Sequence, residues 1–412
     1  MPPSAAVPPG PPGAPMIGSA LELQRDVLGT YERARRAYGD IVRISLGPSR
    51  LGRSVYVVFH PDAVRRVLAS EADGYRKDNR FYEEVRWVLG DGLLNSQDEA
   101  WLRQRRFVQP LFTRRRIAGY ARSMADEAVD LVERWQSRGA GGTTIDLHEE
   151  MSRLTLRVVG RLLFGSDVER AIPVVAYAFP ILGQYALRRA FAPVRVPRSW
   201  PTPSNRRAVR AQRDLYAVCD ELIARRRAAD SQDEDLLSLL VGARDRGEQL
   251  DDGEIRDQVL IFLLAGHDTT AIALTFALYL LGRHPDAQSR VRDEVDAVLG
   301  DRTPGAEDVD GLPYTTMVLK EAMRLYPPAW GLGRRTAAGD NIDGFEIPPG
   351  SDVVVSAWVT HRHPAFWEDP ERFDPERFAP EREAERHRHA YFPSAPAHAP
   401  ASVSTSRCSR PL

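Results

Sequence analysis

Cysteine is nearly absent from this chain: Cys219 and Cys408 are the only two in 412 residues. Two are too few for a disulfide framework, so a reducing cytoplasm is the expected compartment. An excess of charge of either sign is also missing. With 56 Lys and Arg against 57 Asp and Glu, the net charge is −1, which argues against a nucleic-acid partner. The N-terminus, Met1-Pro-Pro-Ser-Ala-Ala-Val-Pro-Pro-Gly-Pro-Pro-Gly, has no charged stretch followed by an apolar one, so it does not read as a secretory signal. It is a stiff, non-helical Pro/Gly arm. There is no internal repeat and no linker separating independent cores. Hydrophobic content of 43% with 27% charged residues suits a soluble globular protein.

What is present is mostly helical pattern. Leu21 to Tyr38 has helical spacing, Asp40 to Leu46 and Ser54 to Phe59 alternate as short strands, and His60-Pro-Asp62 opens a helix. From there to about Gly300 the pattern is helical, broken at Gly90-Asp-Gly92, Gly139 to Gly142 and the proline-rich Val194 to Pro203. Beyond Tyr326-Pro-Pro328, Asn341 to Gly350 and Asp352 to Val355 suggest strand, turn and strand. The expected fold class is mainly α with a small β region.

The apolar run Val259 to Leu281 meets the length criterion for a membrane span. Its centre, however, is Ala265-Gly-His-Asp-Thr-Thr270, and a carboxylate at mid-membrane costs ~2.5–3.5 kcal/mol on insertion scales. Asp251-Asp-Gly-Glu254 before the run and Gly282 with Pro285 after it are the boundary signals of a soluble helix. Thr269, four residues after Ala265, can bond the Ala265 carbonyl. Gly266 is expected to leave room for a small ligand, and Asp268 places an acid beside the alcohol, parts suited to proton delivery.

Two further patterns carry charge at helical spacing. Glu321-Ala-Met-Arg324 precedes a double-proline stop, and Arg377 in Asp374-Pro-Glu-Arg-Phe378 offers a second guanidinium for a buried structural network. Glu383-Ala-Glu-Arg386 shares the Glu-x-x-Arg spacing but is expected to be solvated. Trp101 and Arg105 share a helix face and together suit a carboxylate.

Taken together, these motifs resemble the cytochrome P-450 family of haem-thiolate monooxygenases, soluble bacterial type. The match spans about Pro8 to Phe392 and includes the proline-rich arm, Trp101-x-x-x-Arg105, Ala265 to Thr270, Glu321-x-x-Arg324, His361-Arg-His-Pro364 and Pro375-Glu-Arg-Phe378. The resemblance implies a triangular helical domain holding haem b. It makes Asp268 and Thr269 catalytic in oxygen activation, sets Ala265 and Gly266 against the haem, and gives Trp101, Arg105 and Arg334 the propionates. Glu321, Arg324 and Arg377 form its structural triad. It implies insertion of one oxygen atom into an apolar small-molecule substrate, with electrons from a ferredoxin or flavodoxin and its reductase. Arg103, Arg105, Arg106, Arg114, Arg115 and Arg116 offer a basic docking face for that donor.

The chain departs from the family after Tyr391-Phe-Pro393. The family's ligand loop, Phe-x-x-Gly-x-x-x-Cys-x-Gly, and its following helix are replaced by the Ala/Pro/Ser-rich residues 394–412. A one-base frameshift is compatible with this tail, so the expected domain is 1–393 with an out-of-frame tail. Cys408 lacks flanking glycines and is a poor substitute ligand, and Cys219 reads as a core residue. No metal ligand is therefore assigned, and His361, His363, His387, His389 and His398 lack zinc spacing. The expectation is a family monooxygenase that is inactive or impaired as written. A non-catalytic ligand-binding protein and a single-span membrane protein are the alternatives.

Overall fold

The computed structural model describes residues 6–47, 52–139, 144–165, 168–192, 194–228 and 235–393. Helices α1 (Ala20–Arg25) and α2 (Val27–Tyr38) divide the first helical stretch at Asp26, whose carboxylate caps α2 by accepting from the Gly29 N–H at 2.9 Å. Strands β1 (Ile41–Leu46) and β2 (Arg53–Val58) pair antiparallel. Helix α3 (Pro61–Arg65) and the short strand β3 (Tyr75–Arg76) follow.

The helical half contains α4 (Arg80–Leu89), α5 (Asp98–Val108), α6 (Arg114–Gly139), α7 (Leu147–Phe164), α8 (Val168–Phe191), α9 (Pro203–Ala228), α10 (Leu236–Gly242), α11 (Asp252–Arg283), α12 (Pro285–Leu299) and α13 (Pro313–Leu325). Strands β4 (Leu332–Thr336), β5 (Asp340–Ile342), β6 (Phe345–Ile347) and β7 (Asp352–Val355) then precede α14 (Ala357–Thr360) and α15 (Pro380–Glu385). The sheet order is β1-β2-β7-β4-β3, so the C-terminal strands slot between β2 and β3. Strands β3 and β4 escaped the sequence pattern because one has only two residues and the other is Leu-Gly-Arg-Arg-Thr, too polar to alternate clearly.

The largest apolar core joins α7, α8, α9, α10 and α11. Asp251 and Glu254 form a reciprocal capping box that starts α11, as the sequence implied. Helix α11 passes the length and hydropathy test for a span, yet it packs against α7, α9, α12 and α13 as a core helix. The mainly α class with a small β region is observed.

Candidate functional site

Residues 265–270 occupy the middle of α11. The Thr269 Oγ1 hydroxyl donates to the Ala265 carbonyl at 2.6 Å, as the spacing predicted. Ala265, Asp268 and Thr270 are exposed, although they lie halfway along the most apolar long helix. A core helix left open at its centre presents a surface suited to an apolar ligand. His267 turns elsewhere: its ring lies 6.5 Å from that of Phe179 on α8, and its Nδ1 is buried without a partner. Burial lowers its pKa, against the opposing pull of the Asp268 carboxylate.

Gly266 corrects the sequence reading. A Cβ built there meets Val159 Cγ2 on α7 at 2.7 Å, so the missing side chain permits close approach of α11 and α7. It does not open ligand space.

Three cations outside α11 stand without carboxylates of their own. Arg334, on β4, is 4% exposed, and its Nη1 donates to the Tyr82 hydroxyl at 3.0 Å and the Gly333 carbonyl at 2.8 Å. Lys77 was not anticipated from sequence. Its ammonium donates to the Leu94 carbonyl at 3.0 Å, and burial, Arg334 and Arg86 push its pKa down to about 8. Arg105 lies with its guanidinium carbon 5.0 Å from the Trp101 ring centroid. The expected pairing on one helix face is therefore present, but as a cation–π stack rather than a two-donor fork. Among the described residues, none of these three cations forms an ion pair. Arg334 is buried and uncompensated, and Lys77 and Arg105 are half-buried, so the set calls for an anionic ligand. A flat apolar group with two carboxylates, as in haem, fits this donor set and the open face of α11.

The network around Glu321 is assembled as expected. Arg324 donates to Glu321 through Nε at 2.6 Å and Nη2 at 2.8 Å, and Arg377 Nε lies 3.5 Å from Glu321 Oε1. Arg324 Nη1 further donates to the carbonyls of His361 and Pro370 at 2.9 and 2.7 Å. It thereby ties α13 to the segment that leads to residue 393.

Two surface readings need correction. Arg386 is not simply solvated: it lies 4.2 Å from the Trp367 ring centroid and donates to the Arg377 carbonyl, while Glu383 pairs with Lys320 at 2.7 Å. Within the anticipated basic face, Arg103 is neutralised by Glu248 and Glu254, and Arg106 by Asp245 at 2.7 Å. Arg115 and Arg116 remain open to solvent to differing degrees, and the Arg114 side chain lies outside the described residues. Cys219 is buried in α9 with its thiol pushed up to about 12 by burial, the opposite of a poised thiolate. Cys408, His398 and all of residues 394–412 also lie outside the described residues.

Comparison with known proteins agrees with this geometry. The family model for Cytochrome P450 matches residues 8–393. The chain is 40% identical over 387 residues to a cyclooctatin synthase of Streptomyces melanosporofaciens, covering 93% of this chain and 82% of that protein. It is 37% identical to the cyclooctat-9-en-7-ol 5-monooxygenase of the same organism, again over 93% and 82% of the two chains. The solved structure of retinoic acid-bound cyanobacterial CYP120A1 superposes with a TM-score of 0.82 at 28% identity, covering 95% of this chain and 86% of that one.

Proposed function

The chain belongs to the cytochrome P450 family, and we propose that its open α11 centre and its Arg334, Lys77 and Arg105 cations hold haem b for oxygenation of an apolar substrate. Family membership makes it a haem-dependent monooxygenase by kind, served by a redox partner and acting on an organic substrate. When bound, haem supplies the iron at which dioxygen is activated, one oxygen atom entering the substrate.

The residues present define the protein's share of that work. Arg334, Lys77 and Arg105 would hold the propionates, with Trp101 supporting Arg105. Ala265, exposed on α11, lets a flat ring approach the helix. The Asp268 carboxylate and the Thr269 hydroxyl, adjacent on α11, are the pair that would pass protons toward the bound group. Because that hydroxyl donates to the Ala265 carbonyl, its lone pairs stay available to accept. The names of the solved and curated relatives, one bound to retinoic acid and one acting on cyclooctat-9-en-7-ol, support a largely apolar organic substrate.

For the electron donor we favour a ferredoxin or flavodoxin with its reductase. Arg115 and Arg116 are its docking cations, Arg103 and Arg106 being neutralised within the chain. A cytoplasmic setting suits the buried, unoxidised Cys219. We take residues up to 393 as one domain, to which residues 394–412 add no ligand loop.

The observation that carries the chain's own competence is chemical. No cysteine stands at the family's ligand spacing after Phe392-Pro393, and Cys219 is sealed inside α9. The chain as written is therefore an impaired monooxygenase that retains the distal half of its site. Carbon monoxide difference spectroscopy of the reduced, haem-reconstituted protein tests this. A Soret band of the thiolate-ligated type would overturn the impairment and bring Cys408 back as ligand. Sequencing the coding DNA downstream of Pro393 in all frames tests the frameshift: no frame encoding a Gly-x-x-x-Cys loop ends that explanation.

A further inference from the structure

Helix α6 is anchored to the body of the protein by Leu131 and Glu127. Leu131 is buried with Met151 of α7 and Ala271 of α11, and the buried Glu127 carboxylate accepts from Arg157 Nε at 2.9 Å and pairs with Arg161. Beside that anchored edge, Ile117, Ala121, Met124, Ala128 and Val132 recur at steps of four, three, four and four residues, which sets them in one stripe along the helix. The stripe faces solvent. Ile117 is 48% exposed, Met124 43% and Val132 47%, while Ala128 is exposed and Ala121 half-buried. An uncovered apolar stripe on a helix ~39 Å long is the seam of a helix pair, and its two alanines let a second helix approach closely.

The charges of α6 are sorted along its length. From Arg115 to Arg122 every charged residue is basic, and from Asp126 to Glu133 every one is acidic. Arg115, Arg122, Asp126 and Glu133 are exposed, and among the described residues none of the four forms an ion pair. At about 100° per residue these four fall within about 40° of one another, along the edge of the stripe away from Glu127. A second copy of the helix laid antiparallel satisfies both patterns, because antiparallel helices bring the same edge of each together. Arg122 and Asp126 stand two residues either side of Met124, and Arg115 and Glu133 nine either side. A two-fold axis at Met124 therefore sets Arg122 against Asp126 of the second copy and Arg115 against Glu133 of the second copy, each pair occurring twice. A parallel pair would set like charge against like along the whole edge.

We propose that two copies of this chain associate through antiparallel pairing of their α6 helices, with the apolar stripe at the seam and the edge charges fixing direction and register. Exposed ion pairs add little affinity, so the stripe holds the copies together while the charges select the antiparallel arrangement. Arg115 is one of the cations assigned above to the electron donor, so donor and second copy compete for this edge.

Sedimentation velocity of the full chain over a range of concentrations tests it. The expected result is a monomer–dimer equilibrium in the micromolar range, as suits a small interface. Arg122→Glu and Asp126→Arg should each weaken self-association about tenfold or more, since like charges then face each other twice. An equimolar mixture of the two variants should dimerise like the wild type, because each substitution meets its complement on the other chain. If either variant fails to fold, Met124→Lys, which brings two ammonium groups together at the axis, is read in its place and should leave a monomer. A wild type that stays monomeric at about 100 µM leaves the stripe to some other partner and overturns the proposal. A dimer that survives the substitutions overturns it as well, as do reversals that fail to rescue each other when mixed, since the contact then lies elsewhere.

Discussion

Glu321 and Arg324 lie one turn apart on α13 and meet in two hydrogen bonds of 2.6 and 2.8 Å, with neither side chain exposed to solvent. The Glu321 carboxylate also accepts from the Asp374 N–H at 2.9 Å, so the pair fastens the segment before residue 393 onto the helix. Removing one partner leaves a buried charge alone. Glu321→Ala should therefore cost about 3–5 kcal/mol in urea unfolding. Arg377→Ala should cost less, about 1–3 kcal/mol, because its Nε stands 3.5 Å away and is the weaker contact. Equal losses would make Arg377 a full member of the buried pair rather than a flanking one.

His361 makes the fold sensitive to acid. Its Nε2 accepts the Phe392 N–H at 3.0 Å, and burial, with the charges of Arg324 and Arg362, holds its pKa down at about 3. The unfolded chain takes up this proton near pH 6.5, whereas the folded chain refuses it until about pH 3. Stability contributed by the neutral ring is thus fully present above 6.5 and falls as the pH drops through that window, with a limiting slope of ~1.4 kcal/mol per pH unit. Chemical denaturation at pH 7 and pH 5 measures it. His361→Gln should flatten the difference between the two pH values, whatever its stability at pH 7. An unchanged difference would assign the acid sensitivity to other groups.

Lys77 gives cofactor capture a pH dependence of its own. In the ligand-free protein its pKa is pushed down to about 8 by burial and by Arg334 and Arg86. Between pH 8 and its ordinary value the unfolded chain keeps this proton and the folded chain does not, so Lys77 favours folding more as the pH rises there. A bound dianion reverses the preference, because it stabilises the ammonium and draws a proton in. Haemin affinity, followed by Soret absorbance, should therefore weaken as the pH rises above 8, and Lys77→Met should remove that trend. Arg334→Ala should weaken haemin binding about tenfold or more at any pH, since a buried charge-assisted hydrogen bond is worth ~1.5–3 kcal/mol. Wild-type affinity in both variants would place the propionates elsewhere.

The parts of this site that could be read from sequence are those whose spacing equals a helical turn. Thr269 to Ala265, Glu321 to Arg324 and Trp101 to Arg105 are three or four residues apart, and helix geometry alone brings each pair together. Arg334 was reached only through family resemblance, since nothing in Leu-Gly-Arg-Arg-Thr says which arginine is buried. Lys77 was missed because its setting depends on β4 and α4 closing around it, and a lysine in a polar stretch carries no local signal. The same limit misassigned Arg386, whose aromatic partners Trp367 and Phe378 lie outside α15 and are brought to it only by the fold. Gly266 failed for a related reason: the residue announces a missing side chain but not the direction in which it is missing.

That direction makes opposite predictions for Gly266→Ala. If the glycine served only a ligand, alanine in mid-helix would stabilise the ligand-free protein by about 1 kcal/mol through helix propensity. The structure instead sets the new methyl 2.7 Å from Val159 Cγ2, closer than carbon atoms approach, so α11 and α7 must part or Val159 must turn. Overpacking of this kind costs about 1–3 kcal/mol, and the sum of the two effects should be a net loss. Val159→Ala in the same chain should recover most of that loss, because it removes the methyl groups that the new Cβ meets. Thermal unfolding of the two single variants and the double variant, each without haem, decides the matter. A stabilised single variant, or a double variant with no recovery, would restore Gly266 to the ligand side of the helix.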